Sequence, residues 1–254
     1  MKNQFILTPY FLDQYLPGLG DLKEHNWILN LQHLPDSDLM TGMSVLHRSL
    51  AEDVAKVISQ GDIPVSIAGD CCTTIGVLAG LKRAGIDPLL IWFDAHGDFN
   101  TRETSPSGFL GGMPLAMLAG LGDQTFLNKL DLEPHLQEKI ILTDGRDLDP
   151  GERKLIEGSS ITYFDNPLEL LDYPFQDHPI WVHFDTDIVD PREIPAQNYP
   201  APGGPTIKQM ARTFKYLAET GLIRATSLSS WAPDLDLDGK SRQVSLELLE
   251  VLIA

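Results

Sequence analysis

The chain has 254 residues, 43% of them apolar and 22% charged, enough for one large domain or at most two small ones. Its 36 Asp and Glu against 19 Lys and Arg leave a formal net charge of −17, which argues against a phosphate-tracking nucleic-acid binder and leaves room for a cationic substrate or bound metal. No apolar run approaches the length of a membrane span, the start Met1–Leu7 lacks a secretory leader's features, and adjacent Cys71 and Cys72 fit neither a disulfide framework nor a CxxC clip, so a cytoplasmic protein is expected.

Along the chain, Met43–Gln60 places Val45, Leu46, Leu50, Val54, Val57 and Ile58 on one helical face, and the β-rich run Ile63–Ala68 follows. Thr73–Lys82 is a second helix with Gly85 as its stop, and Pro88–Phe93 a second strand. Apolar residues spaced helically from Met113 to Leu121 belong to the core. Further strands are predicted at Lys139–Thr143, Ile161–Phe164, Pro179–Phe184 and Arg224–Ser229, with helices over Thr206–Thr220, stopped by Gly221, and Val244–Ile253. Strands of nearly continuous apolar character alternating with helices predict a three-layer α/β/α fold around a mainly parallel sheet. No repeat or linker divides the sequence, so a single domain over residues 1–254 is expected.

In such folds ligands sit beyond the carboxyl ends of the strands. Four predicted strand ends carry acidic or soft side chains: Asp70-Cys71, Asp94-Ala-His96-Gly-Asp98, Asp147-Leu-Asp149 and Asp185-Thr-Asp187. The i, i+2 spacing of 94, 96 and 98, and of 185 and 187, turns each set toward one face while the backbone stays extended. A single DxD is more often a turn former or helix cap. Several carboxylates packed together, however, do not stay ionised at neutral pH without cations, and oxygen-rich ligands with one imidazole favour hard or borderline ions such as Mn²⁺.

Gly69-Asp-Cys71, Asp94-Ala-His-Gly-Asp98-Phe-Asn100, Ser107-Gly-Phe-Leu-Gly-Gly-Met-Pro114 and Phe184-Asp-Thr-Asp-Ile-Val-Asp-Pro191 together resemble the arginase/agmatinase (ureohydrolase) family, in family order, over roughly Ile63 to Pro233. The resemblance implies an arginase-like α/β fold and hydrolysis of a guanidino compound at two Mn²⁺ ions. It implies one ion held by Cys71, Asp94, Asp98 and Asp185 and a second by His96, Asp94, Asp185 and Asp187, with Asp94 and Asp185 bridging. The ions would ionise a shared water near neutral pH, and Asp98 would carry a proton from it toward the leaving amine. Asn100, Ser107, Asp147 and Asp149 match the positions that bind the α-carboxylate and α-amine of arginine. Taken alone, Asp147 and Asp149 read as an ordinary turn opening a helix at Pro150; the rest of the pattern favours substrate contact.

Three positions depart from the family pattern. Cys71 stands where the family usually has His; as a ligand it would invite a softer divalent ion, and as a bystander it would leave that site depleted. Gly111 lies where arginases carry a proton-shuttling His. Ser230 aligns with the guanidinium-binding Glu, or Ser229 if the alignment slips by one. His183, where relatives commonly have Ser, is assigned a hydrogen-bonded place in the core, with a supporting group behind the ligands or a replacement base as alternatives.

The expectation is therefore a dinuclear-metal hydrolase releasing urea and an amine from an arginine-like substrate, free or as a peptide side chain giving ornithine. Agmatine, another guanidino or formimidoyl compound, and a catalytically silent binding subunit are the alternatives. The partners expected are a small guanidino substrate or an arginine-containing peptide, no nucleic acid and no membrane, in a homo-oligomer.

Overall fold

The computed structural model describes residues 1–254. The chain begins with strand β1 (Asn3–Thr8), the hairpin β2 (Tyr10–Phe11) and β3 (Gln14–Tyr15), a single turn α1 (Pro17–Gly20) and the two-residue strand β4 (Ile28–Leu29). Sequence periodicity shows none of these. Only the second half of β1 is buried, and β4 is too short to carry a pattern.

Helix α2 (Leu39–Ser59) begins four residues before the predicted start, because Asp38 accepts the Thr41 backbone N–H at 3.0 Å and caps it. Then come β5 (Ile63–Ala68), α3 (Thr74–Arg83) and β6 (Leu89–Asp94), followed by short helices α4 (Pro114–Leu118) and α5 (Thr125–Lys129). The remaining elements are β7 (Ile140–Asp144), α6 (Pro150–Glu157), β8 (Thr162–Phe164), β9 (Ile180–Asp185), α7 (Ile207–Glu219), β10 (Ile223–Ser229) and α8 (Lys240–Leu252). Gly85 and Gly221, expected as helix stops, follow α3 and α7 with φ of 76° and 66°, a left-handed conformation that glycine adopts without a Cβ penalty.

Eight strands form one sheet in the order β4-β1-β5-β10-β9-β6-β7-β8, and every neighbouring pair is parallel. Side chains alternate between two buried layers. Leu90 and Trp92 of β6 and Trp181 of β9 join the layer under α2 and α3, whereas Ile91, Phe93, Val182 and Phe184 join the layer under α7 and α8. Burial on both faces is why these strands read as continuous apolar runs. The chain crosses from β5 to β6 over the places later filled by β9 and β10, so the ends of β5, β10, β9 and β6 lie side by side at the middle of the sheet. No helix is long and apolar enough to cross a membrane.

Candidate functional site

Asp70, Asp94 and Asp185 each close a strand in the same way. One carboxylate oxygen accepts the backbone N–H two residues on: Cys72 at 2.8 Å, His96 at 2.7 Å and Asp187 at 2.9 Å. These residues are thus turn formers, but at positions 94 and 185 the second oxygen stays aimed at a shared centre. Asp185 Oδ2 accepts from Cys71 Sγ at 2.8 Å, and Asp94 Oδ2, which accepts from Trp92 Nε1 at 3.1 Å, lies 4.0 Å from the same sulfur.

Two groups of potential ligand atoms result. Cys71, Asp94, His183 and Asp185 bring one atom each to within 4.8 Å of one another, and Asp94, His96 and Asp187 do the same. Asp94 belongs to both. His96 presents Nδ1 to Asp187 at 3.1 Å and to Asp94 at 3.4 Å, while its Nε2 faces Asp147 at 3.9 Å. The tight first group contains His183 where the ligand set implied by resemblance has Asp98. Asp98 is buried on the same cavity with φ of 49°, and its Oδ2 has no hydrogen-bond partner.

The charges make a cation-seeking site. Burial, then repulsion from Asp187, raises Asp185 to about 8. Burial and neighbouring carboxylates also push Asp94 and Asp187 upward and Asp98 well above its usual range. Burial disfavours a charged His96, but hydrogen bonds to Asp187 and Asp94 outweigh it and hold that imidazole up at about 12. Burial lowers His183 to about 3, so it is neutral at working pH. Four aspartates that resist ionisation together, an orphaned buried carboxylate oxygen and the neutral His183 imidazole fit a pair of divalent cations, to which His96 and the Cys71 thiol, pushed up chiefly by burial, would ligate on giving up their protons.

Apart from His183, which is fully buried beneath them, the groups lie on the floor of a cavity whose walls include Asn100, Ser107, Asp147, Asp149, Glu152 and Ser230. Asn100 Nδ2 donates to Asp149 Oδ2 at 3.0 Å, tying the loop after β6 to the start of α6. Asp149 does precede that helix, with Pro150 in its first turn, as the simpler reading expected, and it also lines the cavity. Ser107 is exposed at the cavity edge, where its Oγ accepts the Phe109 N–H at 3.2 Å. Ser229 and Ser230 do not face opposite ways as strand alternation predicts. β10 ends at Ser229, and Ser230 turns left-handed at φ 69°, so both hydroxyls reach Asp185 Oδ2.

Sequence reading passed over one residue of this site, Glu152, and assigned another, His183, to the core. Glu152 is buried on the cavity wall, accepts the Phe99 N–H at 2.8 Å, and is raised to about 7 chiefly by burial. A lone Glu inside a helix gave no signal. His183 had one, its i, i+2 relation to Asp185.

The Arginase family model matches residues 19–254. The chain belongs to the arginase family. The arginase of Bacillus subtilis (strain 168) is 33% identical over 232 residues, 86% of this chain and 78% of its own. The N(omega)-hydroxy-L-arginine amidinohydrolase of Streptomyces lavendulae is 31% identical over 179 residues, 69% of this chain and 63% of its own. A crystal structure of the Bacillus subtilis arginase superposes with a TM-score of 0.84 at 27% identity, covering 100% of this chain and 99% of that one. The arginase-family fold and a metal-dependent hydrolase of linear amidine C–N bonds are thus established for the chain.

Proposed function

We propose that this arginase-family member hydrolyses an arginine-like guanidino substrate to urea and an amine at two divalent ions. The observation that carries the reading is Asp94, shared by two separate groups of ligand atoms at the floor of an acidic cavity. Two bound ions supply a water nucleophile ionised near neutral pH. Cys71, Asp94, Asp185, Asp187 and His96 hold them, the oxygen-rich side suiting Mn²⁺. Asp98, with its free buried oxygen, accepts a proton in the cavity and returns it to the leaving amine. Asp147 and Asp149, with Asn100 and Ser107, bind the α-end of the substrate, and Ser230 lies beside the guanidinium end. The acidic floor offsets repulsion between a guanidinium cation and the metals.

The test is urea release from arginine, arginyl peptides, agmatine and N-hydroxyarginine with Mn²⁺ supplied. Release is expected from at least one α-amino substrate and is abolished in Asp94→Ala, which removes a ligand from both groups. Full activity of a metal-loaded Asp94→Ala variant, or no urea from any compound at two bound ions per chain, would sink the reading.

A further inference from the structure

β9 and β10 build a polar row beneath the carboxylates. Register places Ser227 and Trp92 as the neighbours of His183 on either side, and Ser229 beside Asp185. His183 is fully buried, its ring 4.0 Å from that of Trp92. Its Nδ1 lies 2.9 Å from Ser227 Oγ, which also accepts from Trp181 Nε1 at 3.0 Å. Its Nε2 points the other way, 3.4 Å from Cys71 Sγ and 3.4 Å from Ser229 Oγ.

The usual arrangement of a metal-bound imidazole has one nitrogen donating to a fixed acceptor while the other presents its lone pair to the ion. Ser227 has a free lone pair for Nδ1–H, and that tautomer leaves Nε2 open toward the sulfur. Zinc bonds of about 2.3 Å to sulfur and 2.0 Å to nitrogen put those atoms about 3.5 Å apart across a tetrahedral edge. The observed 3.4 Å between Cys71 Sγ and His183 Nε2 matches that edge, and the sulfur's 2.8 Å and 4.0 Å to Asp185 Oδ2 and Asp94 Oδ2 lie on either side of it. Two carboxylate oxygens complete the group, and Asp98, whose buried Oδ2 has no hydrogen-bond partner, lines the cavity above it.

We propose that His183 is itself a ligand, forming with Cys71, Asp94 and Asp185 an N,S,O,O site that takes zinc or a similarly borderline-soft divalent ion in preference to manganese. The inference rests on the two-ion reading above. It assigns the two ions different chemistry, because the neighbouring site of Asp94, His96 and Asp187 has no sulfur.

The test loads metal-free protein with one equivalent of Co²⁺ and compares the native sequence with His183→Gln and Cys71→Ser. A thiolate-to-cobalt band is expected in the native protein and its loss in Cys71→Ser. In His183→Gln the visible d–d envelope shifts and affinity for that ion falls at least about 100-fold, beyond the 10–100-fold typical of a group that only orients a ligand. An unchanged envelope and affinity in folded His183→Gln would overturn the assignment. If that variant does not fold, X-ray absorption of the native one-zinc protein decides: sulfur together with imidazole scattering supports the proposal, and sulfur without imidazole defeats it. Competition between Zn²⁺ and Mn²⁺ for the thiolate site should favour zinc, and a manganese preference there counts against it. The urea assay is separate, so its failure with this ligand set intact removes the proposed activity and leaves the metal assignment standing.

Discussion

Asp149 both opens α6 and lines the cavity wall, and a substitution must separate the two roles. Its backbone N–H donates to Glu152 Oε2 at 3.2 Å, and its side chain accepts from Asn100. Asparagine keeps an acceptor for Asn100 and serves equally well before a helix, but it removes the charge. Asp149→Asn should therefore keep its melting temperature while losing a charge-assisted contact to the substrate ammonium. That loss costs roughly 1.5–3 kcal/mol, about 10–150-fold, and should fall on KM because the ammonium is bound alike in ground and transition states. Steady-state kinetics on arginine with an unchanged KM would remove Asp149 from the substrate contacts. The same scale shows why Ser230 eluded strand logic. Alternation assigns opposite faces only while the backbone stays extended, and φ of 69° ends that rule one residue after β10.

The layer formed by α2 and α3 shields the strands that carry the site, and two of its features are testable. Gly80 of α3 lies against α2, where an added Cβ would come 2.5 Å from Val54 Cβ and 2.8 Å from the Ala51 carbonyl. Alanine gains about 1 kcal/mol in helix propensity, but forcing a methyl into a packed contact costs typically about 1–3 kcal/mol. Gly80→Ala should lower the melting temperature, and a rise would show that the two helices separate easily. His47 of α2 is buried against Phe126 of α5, ring centroids 4.8 Å apart, with neither nitrogen hydrogen-bonded. Burial depresses it to about 3 from an ordinary value of 6.5. The unfolded chain thus takes up a proton below pH 6.5 that the folded chain refuses, and this penalty grows as pH falls toward 3. At pH 5 it reaches about 2 kcal/mol, from about 1.36 kcal/mol per pH unit. His47→Leu should be less destabilised than the native sequence between pH 7 and 5 by that amount in urea titrations. Parallel curves would mean His47 finds a partner or opens to water.

For the whole molecule, the charge of −17 and an acidic cavity predict long-range attraction of a cationic substrate. Screening lengths fall from about 30 Å at 0.01 M salt to about 3 Å at 1 M. Raising salt over that range should lower kcat/KM for arginine several-fold while kcat holds. A salt-independent kcat/KM would confine the electrostatics to direct contacts.

Periodicity and motif spacing alone set out the layered α/β architecture and the run of aspartates at the strand ends. Burial on both sheet faces leaves continuous apolar strands, and i, i+2 carboxylates in extended backbone turn to one side regardless of their partners. The main sheet has eight strands where six are legible, because only the second half of β1 is buried and β4 has only two residues. The composition of the floor was decided by tertiary structure. Cys71 and His183 are 112 residues apart in sequence, and their ring nitrogen and sulfur approach to 3.4 Å because the sheet order sets β5 and β9 on either side of β10. The register of β9 on β10 then supplies Ser227 behind the imidazole and Ser229 beside it. Such pairings arise from strand order and register, which no local pattern encodes.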